Sequence, residues 1–137
     1  MLDIDHFKQI NNQYGHYGHY GHYGHYAGDQ VLQQFAENIR HHLREDDFFA
    51  RIGGEEFVIL LKNIYGHEAQ RISERIRYMI EQSPIELYGQ APLNITVSIG
   101  MTQHNQPQIP NIQQLINRAD FALYQAKQHG RNQVIAS

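Results

Sequence analysis

Phe48-Phe49-Ala50-Arg51-Ile52-Gly53-Gly54-Glu55-Glu56-Phe57-Val58-Ile59-Leu60-Leu61 decides how this chain is read. Two apolar, strand-like runs, Phe48 to Ile52 and Phe57 to Leu61, meet at a glycine pair. A glycine pair permits the positive backbone angles of a tight hairpin. Two acids, Glu55 and Glu56, are thereby set side by side at the turn between apolar strands, where like charges repel unless a cation or solvent relieves them. Taken alone, glycine with acids is also ordinary polar-turn chemistry.

Outward from the hairpin, the periodicity predicts a mixed fold. Met1 to Ile4 reads as a strand end, with Asp5 as N-cap of a helix carrying Phe7 and Ile10. Asp29 begins a second helix with the stripe Val31, Leu32, Phe35, Ala36, Ile39 and Leu43, stopping near Glu45. Ala69, Ile72, Ile76, Met79 and Ile80 mark a third helix, and Ile95 to Met101 a strand. Leu115, Ile116, Ala119, Leu123 and Ala126 mark a fourth helix closed by Gly130, and Gln133 to Ile135 a last strand. Hairpins mixed with crossovers imply an α+β domain, a mainly antiparallel central sheet flanked by helices.

At 137 residues, 41% hydrophobic, the chain has the size of one domain. A net charge of -3 provides no basic stripe for a nucleic-acid backbone, and no basic amphipathic helix suggests membrane contact. No apolar run has signal-peptide or membrane-spanning length, and the absence of cysteine excludes thiolate catalysis and a disulfide framework. A cytoplasmic domain is expected.

Asp3 and Asp5 flank the first strand's end, with Lys8 a helical turn beyond. Carboxylate oxygens suit Mg²⁺, which keeps one or two of them alongside substrate phosphates, and a lysine offsets phosphate charge. By itself, Asp-x-Asp before a helix is more often one cap and one solvated acid.

Taken together, Asp3-Ile4-Asp5-His6-Phe7-Lys8, Asn11, Gly28-Asp29, Arg51-Ile52-Gly53-Gly54-Glu55-Glu56-Phe57, Val97-Ser98-Ile99-Gly100, and Arg118-Ala119-Asp120 through Lys127 and Gly130-Arg131-Asn132 resemble the GGDEF family, in its own order and almost end to end. The resemblance implies a fold similar to the adenylyl cyclase and polymerase palm, with a ferredoxin-like core in which Asp3 and Glu55 face one another. It implies a bacterial diguanylate cyclase that condenses two GTP into cyclic di-GMP and pyrophosphate, active as a homodimer in which each subunit brings one GTP. Mg²⁺ or Mn²⁺ would be held by Asp3, the Ile4 carbonyl and Glu55; Glu56 would bind metal or assist deprotonation. Lys8, Lys127 and Arg131 would meet the triphosphate, with Phe7, Gly53 and Gly54 also on the substrate side. An ionised Asp29 can accept guanine N1-H and N2-H₂ together while the Asn11 amide meets O6 or N3, a pair of donors that adenine lacks.

Arg44-Glu45-Asp46-Asp47 has the Arg-x-x-Asp form and stands five residues before Gly53, the family's inhibitory-site position. Arg forks onto guanine O6 and N7, so cyclic di-GMP could bind at Arg44 and Asp47, with Arg75 as a further contact. A charge run between helix and strand is otherwise a solvated turn. The alternative to an enzyme is a catalytically inactive module that binds cyclic di-GMP or GTP.

Two features depart from the family. Relative to the family, this chain lacks the N-terminal helix and the start of the first strand, so it reads as part of a longer gene product. Residues 14 to 26 form a tandem Tyr-Gly-His repeat that holds four of the 10 His and five of the 9 Tyr. The family has one Gly-His turn there, and a loop lengthened by three copies costs only about 1 kcal/mol in closure entropy. The repeat is read as a loop inserted between Asn11 and Asp29, with metal binding by His16, His19, His22 and His25 as a less favoured alternative.

Overall fold

The computed structural model describes residues 1–14 and 26–137, with only the backbone of Tyr26. The repeat lies outside the described residues, apart from Tyr14, which ends one helix, and Tyr26, which starts the next. In chain order the elements are β1 (Leu2–Ile4), α1 (Phe7–Tyr14), α2 (Tyr26–Arg40), β2 (Phe48–Gly53), β3 (Glu56–Leu60), α3 (Glu68–Glu81), β4 (Val97–Met101), α4 (Ile112–Gln128) and β5 (Val134–Ala136). The sheet order is β2-β3-β1-β4-β5. All neighbours pair antiparallel except β4 and β5, which are parallel and joined through α4. The expected α+β sheet with flanking helices is therefore present.

β1 sits in the middle of the sheet. Its register sets Leu2 opposite Phe57 and Ile99, and Asp3 opposite Glu56 and Ser98. Because strand side chains alternate between faces, Leu2, Ile4, Val97 and Ile99 share one side of the sheet. They join a single core cluster with Phe7 and Ile10 of α1, Val31, Phe35 and Ile39 of α2, and Ile76 and Ile80 of α3. Asp3, Ser98 and Gly100 fall on the opposite side, beneath α4.

Gly100 lets α4 approach so closely that a Cβ there would lie 2.1 Å from Leu123 N and 2.2 Å from the Ala119 carbonyl oxygen. Ala119, Leu123 and Lys127, spaced by four, form one stripe of that helix. The glycine that seats Ala119 and Leu123 therefore brings Lys127, one turn on, toward the end of β1 that carries Asp3.

Two boundaries differ from expectation. α2 ends at Arg40 because the chain tightens there: His42 N–H bonds the Ile39 carbonyl at 2.9 Å and Leu43 N–H the Arg40 carbonyl at 3.3 Å. Asp5 is not the cap of α1. His6, at φ 59, supplies the first helix carbonyl to Ile10 N–H at 3.0 Å, and the Asp5 carboxylate is bonded elsewhere. An isolated bridge between Ile85 and Leu93 was not foreseen.

Candidate functional site

The Asp3 carboxylate lies at the end of β1, only 5% exposed. Lys127 Nζ donates to its Oδ2 at 2.6 Å. Burial raises the Asp3 pKa above the ordinary carboxylate value; the Lys127 hydrogen bond and charge oppose this, and the negative charges of Glu55 and Glu56 add to the rise. Three acids thus share one field with one lysine, an excess of negative charge that a cation would relieve.

The hairpin registers differently from the expected facing of Asp3 and Glu55. Directly across from Asp3 stands Glu56, and Glu55 occupies the turn one position earlier. Within the hairpin itself, a β-bulge between Arg51 and Gly53 shifts the pairing of β2 with β3 by one residue, and Gly54 takes φ 25 to close the turn. Glu55 contributes its carbonyl to Ile4 N–H at 3.3 Å. Since N–H and C=O of one strand residue point to the same side, the Ile4 carbonyl also faces the hairpin.

Among the described residues no three His, Asp or Glu side chains converge as a metal cage. The donor set does suit a hard divalent cation: a buried carboxylate, a backbone carbonyl on the hairpin side and two further acids close enough to perturb it.

α1 and α2, on either side of the repeat in sequence, pack together and carry Asn11 up to Gly28, the residue before Asp29. Gly28 is where they meet, and a Cβ there would fall 2.0 Å from Asn11 Oδ1. That Asn11 oxygen is buried without a hydrogen-bond partner among the described residues. A buried acceptor of this kind is rare and calls for a donor. Asp29, exposed in the first turn of α2, lines a cleft of about 310 Å³ with Leu32, Gln33 and Ala36. Arg40, Phe49 and Arg51 close its far side. Arg51 was quoted in the motif but given no role; Arg40 carried no sequence signal at all.

The remaining expected residues are scattered around this centre. Lys8 is exposed on α1, and Phe7 is buried in the core cluster. Gly53 and Gly54 shape the hairpin turn. Arg131 is exposed just beyond α4 with φ 64.

Arg44, Asp47 and Arg75 form a separate cluster. Asp47 Oδ2 accepts from Arg44 N–H at 2.9 Å, and Asp47 N–H returns a bond to the Arg44 carbonyl at 3.1 Å. Arg44 pairs with Glu68 at 3.3 Å, while Arg75 donates to the His42 carbonyl at 3.2 Å.

Asp5 was missed as a structural hub. It is 3% exposed, and its oxygens accept from Ser98 Oγ at 2.6 Å, Thr96 Oγ1 at 2.7 Å and Asn132 N–H at 3.0 Å. Its partners come from two distant segments, so only their shared position in the fold joins them.

Residues 20–133 match the family described as "Diguanylate cyclase, GGDEF domain". The chain belongs to the GGDEF family. It is 41% identical to Diguanylate cyclase A of Treponema denticola over 100% of this chain and 34% of that protein. It is 39% identical to the response regulator PleD of Caulobacter vibrioides, covering 98% of this chain and 28% of that protein. The GGDEF chain thus spans about a third of the length of these relatives.

Among solved structures, the GGDEF domain of DgcB from Caulobacter crescentus in complex with c-di-GMP superposes with a TM-score of 0.82 at 33% identity, over 98% of this chain and 74% of that one. The active GGEEF domain of a diguanylate cyclase from Vibrio cholerae gives 0.79 at 32% identity, over 98% and 78%. Among the described residues no helix is long and apolar enough to cross a membrane.

Proposed function

We propose that this GGDEF domain is a diguanylate cyclase that joins two GTP molecules, the ribose 3′-oxygen of each attacking the α-phosphate of the other, to give cyclic di-GMP and two pyrophosphates. The observation that carries the reading is the buried Asp3 at the end of β1, set against the Glu55-Glu56 hairpin and bonded to Lys127 at 2.6 Å. Asp3, the Ile4 carbonyl and Glu55 would hold a divalent metal, Mg²⁺ or Mn²⁺, which when bound would acidify the 3′-hydroxyl and offset charge at the α-phosphate.

The chain's own residues do the rest. Lys127, Lys8 and Arg131 are cations able to meet the triphosphate, and Glu56 is the acid positioned to take a proton or complete the metal's oxygen ligands. Guanine fits the Asn11–Asp29 corner: Asn11 Oδ1 is a buried acceptor without a partner among the described residues, and Asp29 can accept two neighbouring N–H groups at once. ATP would leave these acceptors unpaired and bind far less well. One active site holds one GTP, so product requires two copies of the domain facing each other. GTP as substrate implies a cytoplasmic reaction.

The test is incubation with GTP and Mg²⁺, with cyclic di-GMP followed chromatographically. Asp3→Ala and Glu55→Ala are expected to abolish product while preserving the circular dichroism spectrum. Normal turnover in either variant would overturn the metal assignment.

A second reading, a module that binds cyclic di-GMP without catalysis, is favoured by the Arg44–Asp47 turn and by Arg75, which donates to the His42 carbonyl just before that turn. Product binding by calorimetry together with no turnover of GTP would select it.

A further inference from the structure

Gly130, Arg131 and Asn132, directly after α4, all have positive φ: 110, 64 and 43. For glycine this is free, but for Arg and Asn the left-handed region costs about 1 kcal/mol each and persists only when surroundings impose it. Arg131 N–H bonds the Ala126 carbonyl at 3.0 Å, which stops the helix in a Schellman-like turn. That bond fixes one side of Arg131. The other side is fixed through Asn132.

The backbone N–H and both side-chain polar atoms of Asn132 are engaged. Its N–H donates to Asp5 Oδ2 at 3.0 Å. Its Oδ1 accepts from Arg77 Nη1 at 2.8 Å, and its Nδ2 donates to Glu81 Oε1 at 2.8 Å. Arg77 is itself held by Glu81 and Glu74, each at 2.9 Å. Asn132 therefore ties the turn to α3 and to Asp5, the residue just past β1 and two residues from Asp3. Arg131 between these anchors is exposed, and among the described residues its guanidinium makes no hydrogen bond or ion pair.

We propose that Asn132 is a positioning residue: held by Asp5, Arg77 and Glu81, it fixes Arg131 in the left-handed conformation that presents its guanidinium to the GTP phosphates beside Lys127. This rests on the cyclase reading above.

The test is a double-mutant cycle on binding of a GTP analogue with a methylene bridge between the α- and β-phosphates, in Mg²⁺, by calorimetry. Asn132→Gly keeps the left-handed backbone accessible while removing the side-chain ties, and Arg77→Gln breaks the same network from α3. Each is expected to weaken analogue binding by about 5-fold in the Arg131 protein and to have almost no effect in an Arg131→Ala background, since coupled groups are non-additive. Thermal melting checks that both variants fold, and amide hydrogen exchange at Arg131 and Asn132 is expected to quicken in both. Equal losses in the two backgrounds, or no loss in either, overturn the positioning role alone. Failure of the unsubstituted protein to bind the analogue overturns the cyclase reading, and this role with it.

Discussion

Lys127 near the end of α4 donates to Asp3 at the end of β1 across 124 residues of sequence, with 2.6 Å between nitrogen and oxygen. The pair is asymmetric, for the Asp3 side chain is 7% exposed and that of Lys127 32%. Asp3 therefore depends on the lysine more than the lysine depends on it. A buried carboxylate stripped of its cation loses stability, and truncating one partner of a fully buried pair costs 3–5 kcal/mol. The partial exposure of Lys127 lowers the expected cost of Lys127→Met to about 1–2 kcal/mol. Urea unfolding without metal measures it, and NMR titration is expected to show the Asp3 pKa moving further upward.

The direction of the Asp3 shift also sets a pH dependence. Its folded pKa is raised above the unfolded value, chiefly by burial, so ionisation disfavours the folded state. The penalty is absent below the unfolded pKa of 3.8, develops as pH rises through the folded pKa, and is complete above it. Asp3→Asn, which mimics the neutral form, is expected to match the parent at low pH and equal or exceed its thermal midpoint at pH 7 in EDTA. If Asp3 holds the metal, as proposed, metal is expected to reverse the order, since ligand at ten times its dissociation constant would stabilise the parent by about 1.4 kcal/mol and the variant by little. A parent more stable than Asp3→Asn at pH 7 without metal would contradict this account.

Two glycines give a graded comparison. At Gly28 the obstacle to a Cβ is the Asn11 side chain, whereas at Gly100 it is the backbone of α4 at Ala119 and Leu123. A side chain can rotate away; a helix backbone must move bodily. Gly28→Ala is therefore expected to cost about 1–3 kcal/mol and to reduce GTP affinity by displacing Asn11. Gly100→Ala is expected to cost more, and to separate Lys127 from Asp3. Equal stability losses in chemical denaturation would refute the ranking.

The elements of this fold were legible because each carries its own period: the stripe from Val31 to Ile39, the runs flanking Gly53-Gly54, and Ala119 to Ala126 needed no tertiary information. Asp5 was misread because a polar residue before a helix looks like a cap, and its real partners, Thr96, Ser98 and Asn132, lie more than 90 residues away. The pairing of Asp3 with Glu56 is a register between strands distant in sequence, which no local pattern announces. Although the repeat separates them in sequence, Asn11 reaches Gly28, the residue before Asp29, which no local pattern announces either.

Arg44 and Glu68 provide the last prediction. Their ion pair, 3.3 Å long with both side chains largely exposed, is worth at most about 1 kcal/mol, so Glu68 is a weak competitor for the Arg44 guanidinium. If Arg44 binds cyclic di-GMP, as proposed, Arg44→Ala is expected to weaken that binding by 10-fold or more, while leaving binding of the GTP analogue unchanged. Glu68→Gln is expected to act in the opposite direction, strengthening cyclic di-GMP binding by about 2- to 5-fold, because the guanidinium no longer has to leave a carboxylate. The gain should shrink in high salt, where the competing pair is already screened. Calorimetry on both variants decides the matter: weaker binding in Glu68→Gln would make the glutamate part of the ligand site, and unchanged binding in Arg44→Ala would remove the arginine from it.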